Sequence, residues 1–215
     1  MGKTALVVGA TGLIGRELVE QLLENDRYDA VWIVVRRSKR WSHPKLHEIV
    51  GFEQMDETLP HLDDVYCALG TTIGVAGSQD AFKQVDLELP LEVARIAQAH
   101  GATRYAVVSA QGASLRSPFF YNRVKGELEN GLRVFRFKHL IIARPSLLLG
   151  NRDSFRFGEK AAEWVSRPFQ SILLEKTPDV APIQALHVAR SLIMASEEGE
   201  GVEILTSGMM QRMSQ

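Results

Sequence analysis

The run Ala5-Leu6-Val7-Val8-Gly9-Ala10-Thr11-Gly12-Leu13-Ile14-Gly15 decides the fold of this chain. Its first four residues read as a buried strand and its glycines as a tight turn. An amphipathic helix follows from about Leu13 to Glu24, with Ile14, Leu18 and Leu22 on one stripe and Val19 and Leu23 beside it. Glycine suits such a turn because the backbone must reverse sharply, let a pyrophosphate approach, and pack the helix tightly on the sheet. The phosphates then meet free N–H groups at the helix N-terminus. The spacing is G-x-x-G-x-x-G rather than the commoner G-x-G-x-x-G, but the strand before it and the helix after it supply the setting of a dinucleotide site. Gly9, Thr11, Gly12, Leu13, Ile14 and Gly15 are the expected cofactor-binding residues of this turn. A glycine-rich turn without a ligand is the plainer reading.

Outward from this unit, strand-like and helix-like stretches alternate, the signature of right-handed βαβ units on a parallel sheet. Strands are expected at Thr4 to Val8, Ala30 to Val35, Asp64 to Ala68, Tyr105 to Ser109, His139 to Ala143 and Val202 to Leu205. Between them a short helix is expected near Leu46 to Val50 and a weak strand near Phe52 to Met55. A long helix spans about Gln79 to His100, kinked or restarted at Pro90. Another runs from about Pro118 to Phe135. Beyond Arg144 the alternation becomes irregular, with helices near Phe157 to Ser166 and Ile183 to Ser196 and a Met-rich tail from Gly208 that reads as frayed. The expected fold class is α/β, a doubly wound parallel sheet of Rossmann type. It forms a single NAD(P)-binding domain over residues 1–215, with 144–200 as a small substrate-covering portion.

Composition narrows the function. Hydrophobic residues make up 45% and charged residues 24%, with a formal net charge of -1, so no global field favours nucleic acid or an anionic membrane. No apolar run has the length of a membrane span, and the first strand begins within a few residues of Met1, so the expected location is cytoplasmic. The lone Cys67 has apolar neighbours and reads as a buried thiol.

The end of the second strand refines the cofactor. An NAD site usually places Asp or Glu there to bind the adenosine ribose, whereas this chain has Arg36 and Arg37, followed by Lys39 and Arg40. Guanidinium groups grip a phosphate dianion with paired charge-assisted hydrogen bonds, which points to NADP(H), with NAD(H) the lesser alternative. A solvated basic loop and a nucleic-acid patch stacked on Trp41 are the competing readings.

Tyr121-Asn122-Arg123-Val124-Lys125 sets a phenol and an ammonium four residues apart on an expected helix, so both project from one face. A free phenol ionises near pH 10. A lysine cation beside Tyr121 is expected to lower that value, and Tyr121 is the candidate acid/base group for proton transfer as hydride moves, with Lys125 also a candidate cofactor-binding residue through the nicotinamide ribose. Ser109 stands at the C-terminal end of its strand, where ligands bind in open α/β sheets, and is the candidate to hold a substrate carbonyl. An exposed helical pair with no chemistry is the bland alternative.

With the glycine turn, Ser109 and the Tyr121–Lys125 pair in view, the chain resembles the short-chain dehydrogenase/reductase superfamily over nearly its whole length. Cys67 to Thr72, Val107 to Ala113, Tyr121 to Glu127 and Ala143 to Gly150 resemble the atypical subgroup of Tat-interacting-protein-like oxidoreductases. The resemblance implies a Rossmann fold, NADP(H) binding and Tyr121 with Lys125 as the catalytic pair. It also implies cofactor contacts from Leu69, Gly70 and Thr71, and a nicotinamide lining of Pro145, Ser146 and Leu147. Two departures stand out. Ala110 and Gln111 occupy the place where related proteins often carry a second hydroxyl, which leaves the catalytic serine open between Ser109 and Ser114. The usual tetrad asparagine has no clear match, and Asp86 in that helix is left outside the catalytic set because an acid behaves differently beside a lysine.

Other candidates have plainer readings. His43 and His47 have helical ligand spacing, but Pro44 stands where a zinc hydrolase motif has glutamate and no third ligand is near. His187 reads as a packed histidine with a lesser substrate role, and Phe119 and Phe120 as core or substrate mouth. The leading expectation is an NADP(H)-dependent reductase or dehydrogenase of a small carbonyl or alcohol compound, monomeric or homodimeric. An NADPH-binding regulatory or redox-sensing protein with little turnover is the alternative. A nucleotide-sugar epimerase or dehydratase is a third reading, disfavoured by the 215 - 150 = 65 residues that follow Gly150.

Overall fold

Seven parallel strands form the sheet in the order β3-β2-β1-β4-β5-β6-β9. They are β1 (Lys3–Val8), β2 (Tyr28–Val35), β3 (Leu46–Val50), β4 (Asp64–Cys67), β5 (Arg104–Val108), β6 (His139–Arg144) and β9 (Gly201–Thr206). A separate two-stranded ribbon pairs β7 (Leu148–Leu149) with β8 (Ile183–Gln184). The computed structural model describes residues 2–149 and 181–214. The helix expected near Phe157 to Ser166, with the rest of residues 150–180, lies outside the described residues.

Strand residues alternate between two apolar layers because successive side chains point to opposite faces. Ala5, Val7, Val31, Ile33, Ile141 and Ala143 pack under α1 (Leu13–Glu24) and α7 (Ala185–Ala195), meeting Ile14, Leu18, Leu22, Val188 and Leu192. Leu6, Val8, Val65, Cys67, Tyr105, Val107 and Ile142 face the other way, onto Val93 and Ala97 of α5 (Leu89–Ala99) and Leu128 and Leu132 of α6 (Phe120–Leu132). Covering both faces lets an all-parallel sheet read as near-continuous apolar runs. The chain reverses its winding between β1 and β4, and the crevice at the C-terminal ends of these strands is where such sheets bind ligands.

Three local expectations are corrected. Leu46 to Val50 is not a helix but strand β3, paired in parallel with β2 from Val31↔Leu46 to Val35↔Val50. Pairing with a neighbouring edge outweighs a five-residue preference, and His47 stacks flat on Trp32 with ring centroids 4.6 Å apart. Phe52 to Met55 is not a strand; a 3-10 turn over Phe52–Gln54 runs into α2 (Met55–Thr58). The Met-rich tail is α8 (Ser207–Met213), capped by the Thr206 hydroxyl, which accepts the Met209 N–H at 3.3 Å. Met210 is fully buried, and its carbonyl accepts the Ser191 hydroxyl at 3.0 Å.

The stretch from Gln79 to His100 is helical but interrupted. α3 (Ile73–Ala76) precedes it, then α4 (Gln79–Lys83) leads into a π-helical turn over Gln84–Glu88 before α5. Pro90 lacks the N–H that would bond the carbonyl four residues earlier, that of Asp86, and the wider turn absorbs the loss.

Candidate functional site

The turn after β1 is shaped for a close-approaching anion. Gly9 has φ +86°, and a Cβ there would lie 2.5 Å from the Ala68 carbonyl oxygen. A Cβ on Gly15 would collide with the Gly9 carbonyl, so α1 packs on the turn only because that position is bare. Gly12 begins α1 in an extended conformation with no side-chain cap, and the first helical turn carries no acid, so the leading N–H groups of the helix meet no side-chain acceptor. Thr11 and Gly12 are exposed there, whereas Ile14 and Gly15 are buried against the sheet and offer only backbone.

Arg36 and Arg37 follow β2, one strand over from the glycine turn. Both are exposed, and among the described residues neither guanidinium group makes a side-chain hydrogen bond or ion pair. Lys39 is anchored by its N–H to Glu48 at 3.0 Å, and Arg40 adopts φ +54°. A bare glycine turn at the start of a helix, beside two exposed guanidinium groups, suits the anionic pyrophosphate of a dinucleotide.

On the other side of the crevice, α6 begins at Phe120, one residue before Tyr121. Tyr121 is half-buried, its ring 5.7 Å from Phe82. One turn on, Lys125 is 3% exposed and its Nζ lies 2.7 Å from Oδ1 of Asp86, itself 1% exposed. The other Asp86 oxygen accepts the Thr71 N–H at 2.8 Å, so one carboxylate joins α6 to the Leu69-Gly70-Thr71 loop after β4. This pairing alters the expected electrostatics. Burial pushes the Tyr121 phenol above its ordinary value, Lys125 opposes the rise and Asp86 adds to it, so the phenol is held high rather than lowered. Burial alone would depress Lys125, but Asp86 and Tyr121 reverse this and keep the ammonium strongly protonated.

Ser109, just past β5, is 3% exposed and donates its hydroxyl proton to Oε1 of Glu129 at 2.6 Å. Glu129 is also gripped by Arg144, with Nε on Oε1 at 2.9 Å and Nη2 on Oε2 at 2.5 Å. Ser109 can thus serve a substrate oxygen only by leaving Glu129. Ser114 is exposed, and its Oγ accepts the Arg116 N–H at 3.2 Å, leaving its own proton free to donate. Its backbone lies against Gly126, where a Cβ on α6 would collide with it.

The loop after β6 is tied down on three sides. The Pro145 carbonyl accepts the Gln111 N–H at 3.0 Å, and the Leu147 carbonyl accepts the Ile183 N–H at 2.9 Å. The Ser146 N–H donates to the Ser207 hydroxyl at 2.8 Å, and the Ser146 hydroxyl donates to the Ala181 carbonyl at 2.5 Å. Phe119 is 52% exposed while Phe120 turns toward Phe82. The Cys67 thiol is buried, and burial holds it above the ordinary thiol range. His43, His47 and His187 belong to no group of metal-ligating side chains among the described residues.

Asp86, Glu129 and Arg144 were missed or set aside in sequence. Their partners lie 39, 20 and 15 positions away and on other elements. The one available signal was the acid in the helix where an asparagine is usual.

Residues 9–146 match the family described as NAD(P)H-binding. Protein HTATIP2 of Rattus norvegicus is 31% identical over 198 residues, covering 89% of this chain and 80% of that protein. The protein named "FMP52, mitochondrial" of Eremothecium gossypii is 36% identical over 169 residues, covering 76% and 75%. Among solved structures, the Bordetella bronchiseptica enzyme WbmH in complex with NAD+ matches with TM-score 0.71 at 16% identity, over 97% of this chain and 77% of that one. A short chain dehydrogenase family protein of Francisella tularensis matches with TM-score 0.68 at 12% identity, over 98% and 100%. At these identities the structures speak for the fold alone.

Proposed function

Because this chain belongs to the NAD(P)H-binding family, as an HTATIP2-like member of the atypical short-chain dehydrogenases/reductases, we propose that it is an NADP(H)-dependent reductase of small carbonyl compounds. The observation that carries this reading is the position of Tyr121 at the head of α6, half-buried, with the buried Lys125 ammonium one turn below it. The glycine turn and the N-terminus of α1 would hold the pyrophosphate, and Arg36 and Arg37 the 2'-phosphate. Leu69 to Thr71 and Pro145 to Leu147 would border the rest of the cofactor. When bound, a dihydronicotinamide supplies hydride to a carbonyl carbon.

This chain's own residues manage the proton and the geometry. Tyr121 Oη donates to the developing alkoxide, and Lys125 steadies the phenolate that remains. Ser109 is the candidate oxyanion partner once its proton leaves Glu129, with Ser114 the alternative donor. The pairing of Lys125 with Asp86 also favours a second reading, a cofactor sensor with little turnover, since the cation's charge is already matched.

One experiment separates them. Wild-type protein and Tyr121→Phe are screened for NADPH consumption with aldehydes, ketones and quinones. The reductase reading expects a rate in wild type that falls by about 100-fold or more in the variant, the usual size of a lost acid/base group. Equal rates overturn the role of Tyr121, and no rate with any substrate favours the sensor.

A further inference from the structure

Asp86 is almost wholly buried, yet both of its oxygens are engaged by groups of the site. Oδ1 meets Lys125 Nζ at 2.7 Å, and Oδ2 accepts the Thr71 N–H at 2.8 Å. Gly70 passes beside it, where a Cβ would make ordinary contact with Oδ1 at 3.6 Å. The residue sits in the π-helical turn that Pro90 imposes, so its position comes from the break in the helix. Turns of this kind are common where a helix must aim a functional group. An asparagine could satisfy the ammonium or the Thr71 N–H, but not both, and it would bring no charge.

The groups facing the phenol can be enumerated. Lys125 lies on its own helix and favours the phenolate, and Asp86 on the π turn opposes it; the buried thiol of Cys67 at the end of β4 acts on Lys125 instead. Outside them Lys83 of α4 and Glu127 of α6 pair with each other at 3.2 Å.

We propose that Asp86 is a positioning residue that biases this site toward proton donation: it clamps the Lys125 ammonium to the β4 loop and offsets part of its field at Tyr121, so that in the buried site the protonated phenol is favoured. The proposal rests on the reductase reading and gives it a direction. In reduction the O–H bond of Tyr121 breaks, its proton goes to the substrate oxygen, and the new C–H bond takes its hydride from the dihydronicotinamide, which is oxidised. The phenolate then regains a proton from solvent. Alcohol oxidation would need a phenolate in place before the substrate arrives, which the Asp86 charge opposes. Carbonyl substrates are thus favoured over alcohols near neutral pH.

The test needs no substrate. The protein has four tyrosines, and Tyr28, Tyr66 and Tyr105 are buried phenols held far above the ordinary range, so Tyr121 ionises first. Its ionisation is followed by absorbance at 295 nm in cofactor-free protein after rapid pH jumps, read before the slower loss of far-UV circular dichroism that marks unfolding, with Tyr121→Phe subtracted to assign the signal. In Asp86→Asn the midpoint should fall by about one pH unit or more, the usual effect of removing a nearby like charge. In the charge-balanced double variant Asp86→Asn/Lys125→Met it should return to within about one unit of wild type. A midpoint in Asp86→Asn at or above that of wild type overturns the proposal. So does a double variant displaced further than that, and this arm decides the matter alone if the single variant does not fold. Failure of the reductase reading shows separately, as NADPH consumption indifferent to Tyr121→Phe.

Discussion

Ser109→Ala tests whether this serine is held by the fold or free to act on substrate. The substitution removes a hydroxyl that donates to Glu129 at 2.6 Å in a site only 3% exposed, where water cannot take its place. A hydrogen bond to a charged group contributes roughly 1.5–3 kcal/mol. The carboxylate keeps both contacts to Arg144, at 2.9 and 2.5 Å, so the acceptor is not orphaned and the loss falls toward the lower end, about 2 kcal/mol. For a domain of this size that corresponds to a melting temperature lower by roughly 4–8 °C. Urea unfolding of Ser109→Ala, Glu129→Gln and the double variant measures the coupling directly, and a pairwise term of about 1 kcal/mol is expected. Refutation is simple: Ser109→Ala unfolding within about 0.5 kcal/mol of wild type would mean that the bond to Glu129 contributes nothing. A kcat loss without that destabilisation would return the hydroxyl to the substrate.

Arg36→Ala/Arg37→Ala should weaken NADPH by roughly 10- to 100-fold, the equivalent of one charge-assisted contact, and leave NADH unchanged. The rise in melting temperature with each cofactor reports it, and an equal loss for both would place the phosphate elsewhere. Alkaline pH should unfold the protein early. Burial holds Cys67 and all four tyrosines above their ordinary values, so the folded state keeps protons that the unfolded chain releases. That stability is complete below the unfolded thiol and phenol range and is lost as pH rises beyond roughly 9. Urea midpoints between pH 7 and 11 check the sign, and a midpoint that climbs in this window contradicts it.

Much of the fold was legible because its signals are local. The alternation of apolar strand and amphipathic helix placed β1, α1, β4, β5 and β6 within a residue or two, and Pro90 announced a break in the long helix. Leu46 to Val50 misread as helix because five residues carry too little periodicity, and only the edge of β2 makes them a strand. The tail misread as frayed because α8 is held by a Thr206 cap and by partners some 20 to 60 positions away, Ser191 and Ser146.

The site divides along the same line. The turn Gly9 to Gly15 and the four-residue spacing of Tyr121 and Lys125 depend on backbone geometry over one or two turns, so the sequence alone determined them. What surrounds those groups was decided by the packing of distant elements. The π turn before Pro90 brings Asp86 to Lys125 across 39 positions, and the ends of β5, α6 and β6 converge to join Ser109, Glu129 and Arg144. A charge in a buried site acts through its nearest neighbours and its distance from water, and neither exists until the sheet and helices have closed around it. The sequence thus placed a phenol beside an ammonium, and the tertiary structure decided that an acid would stand with them in a site whose burial raises the phenol.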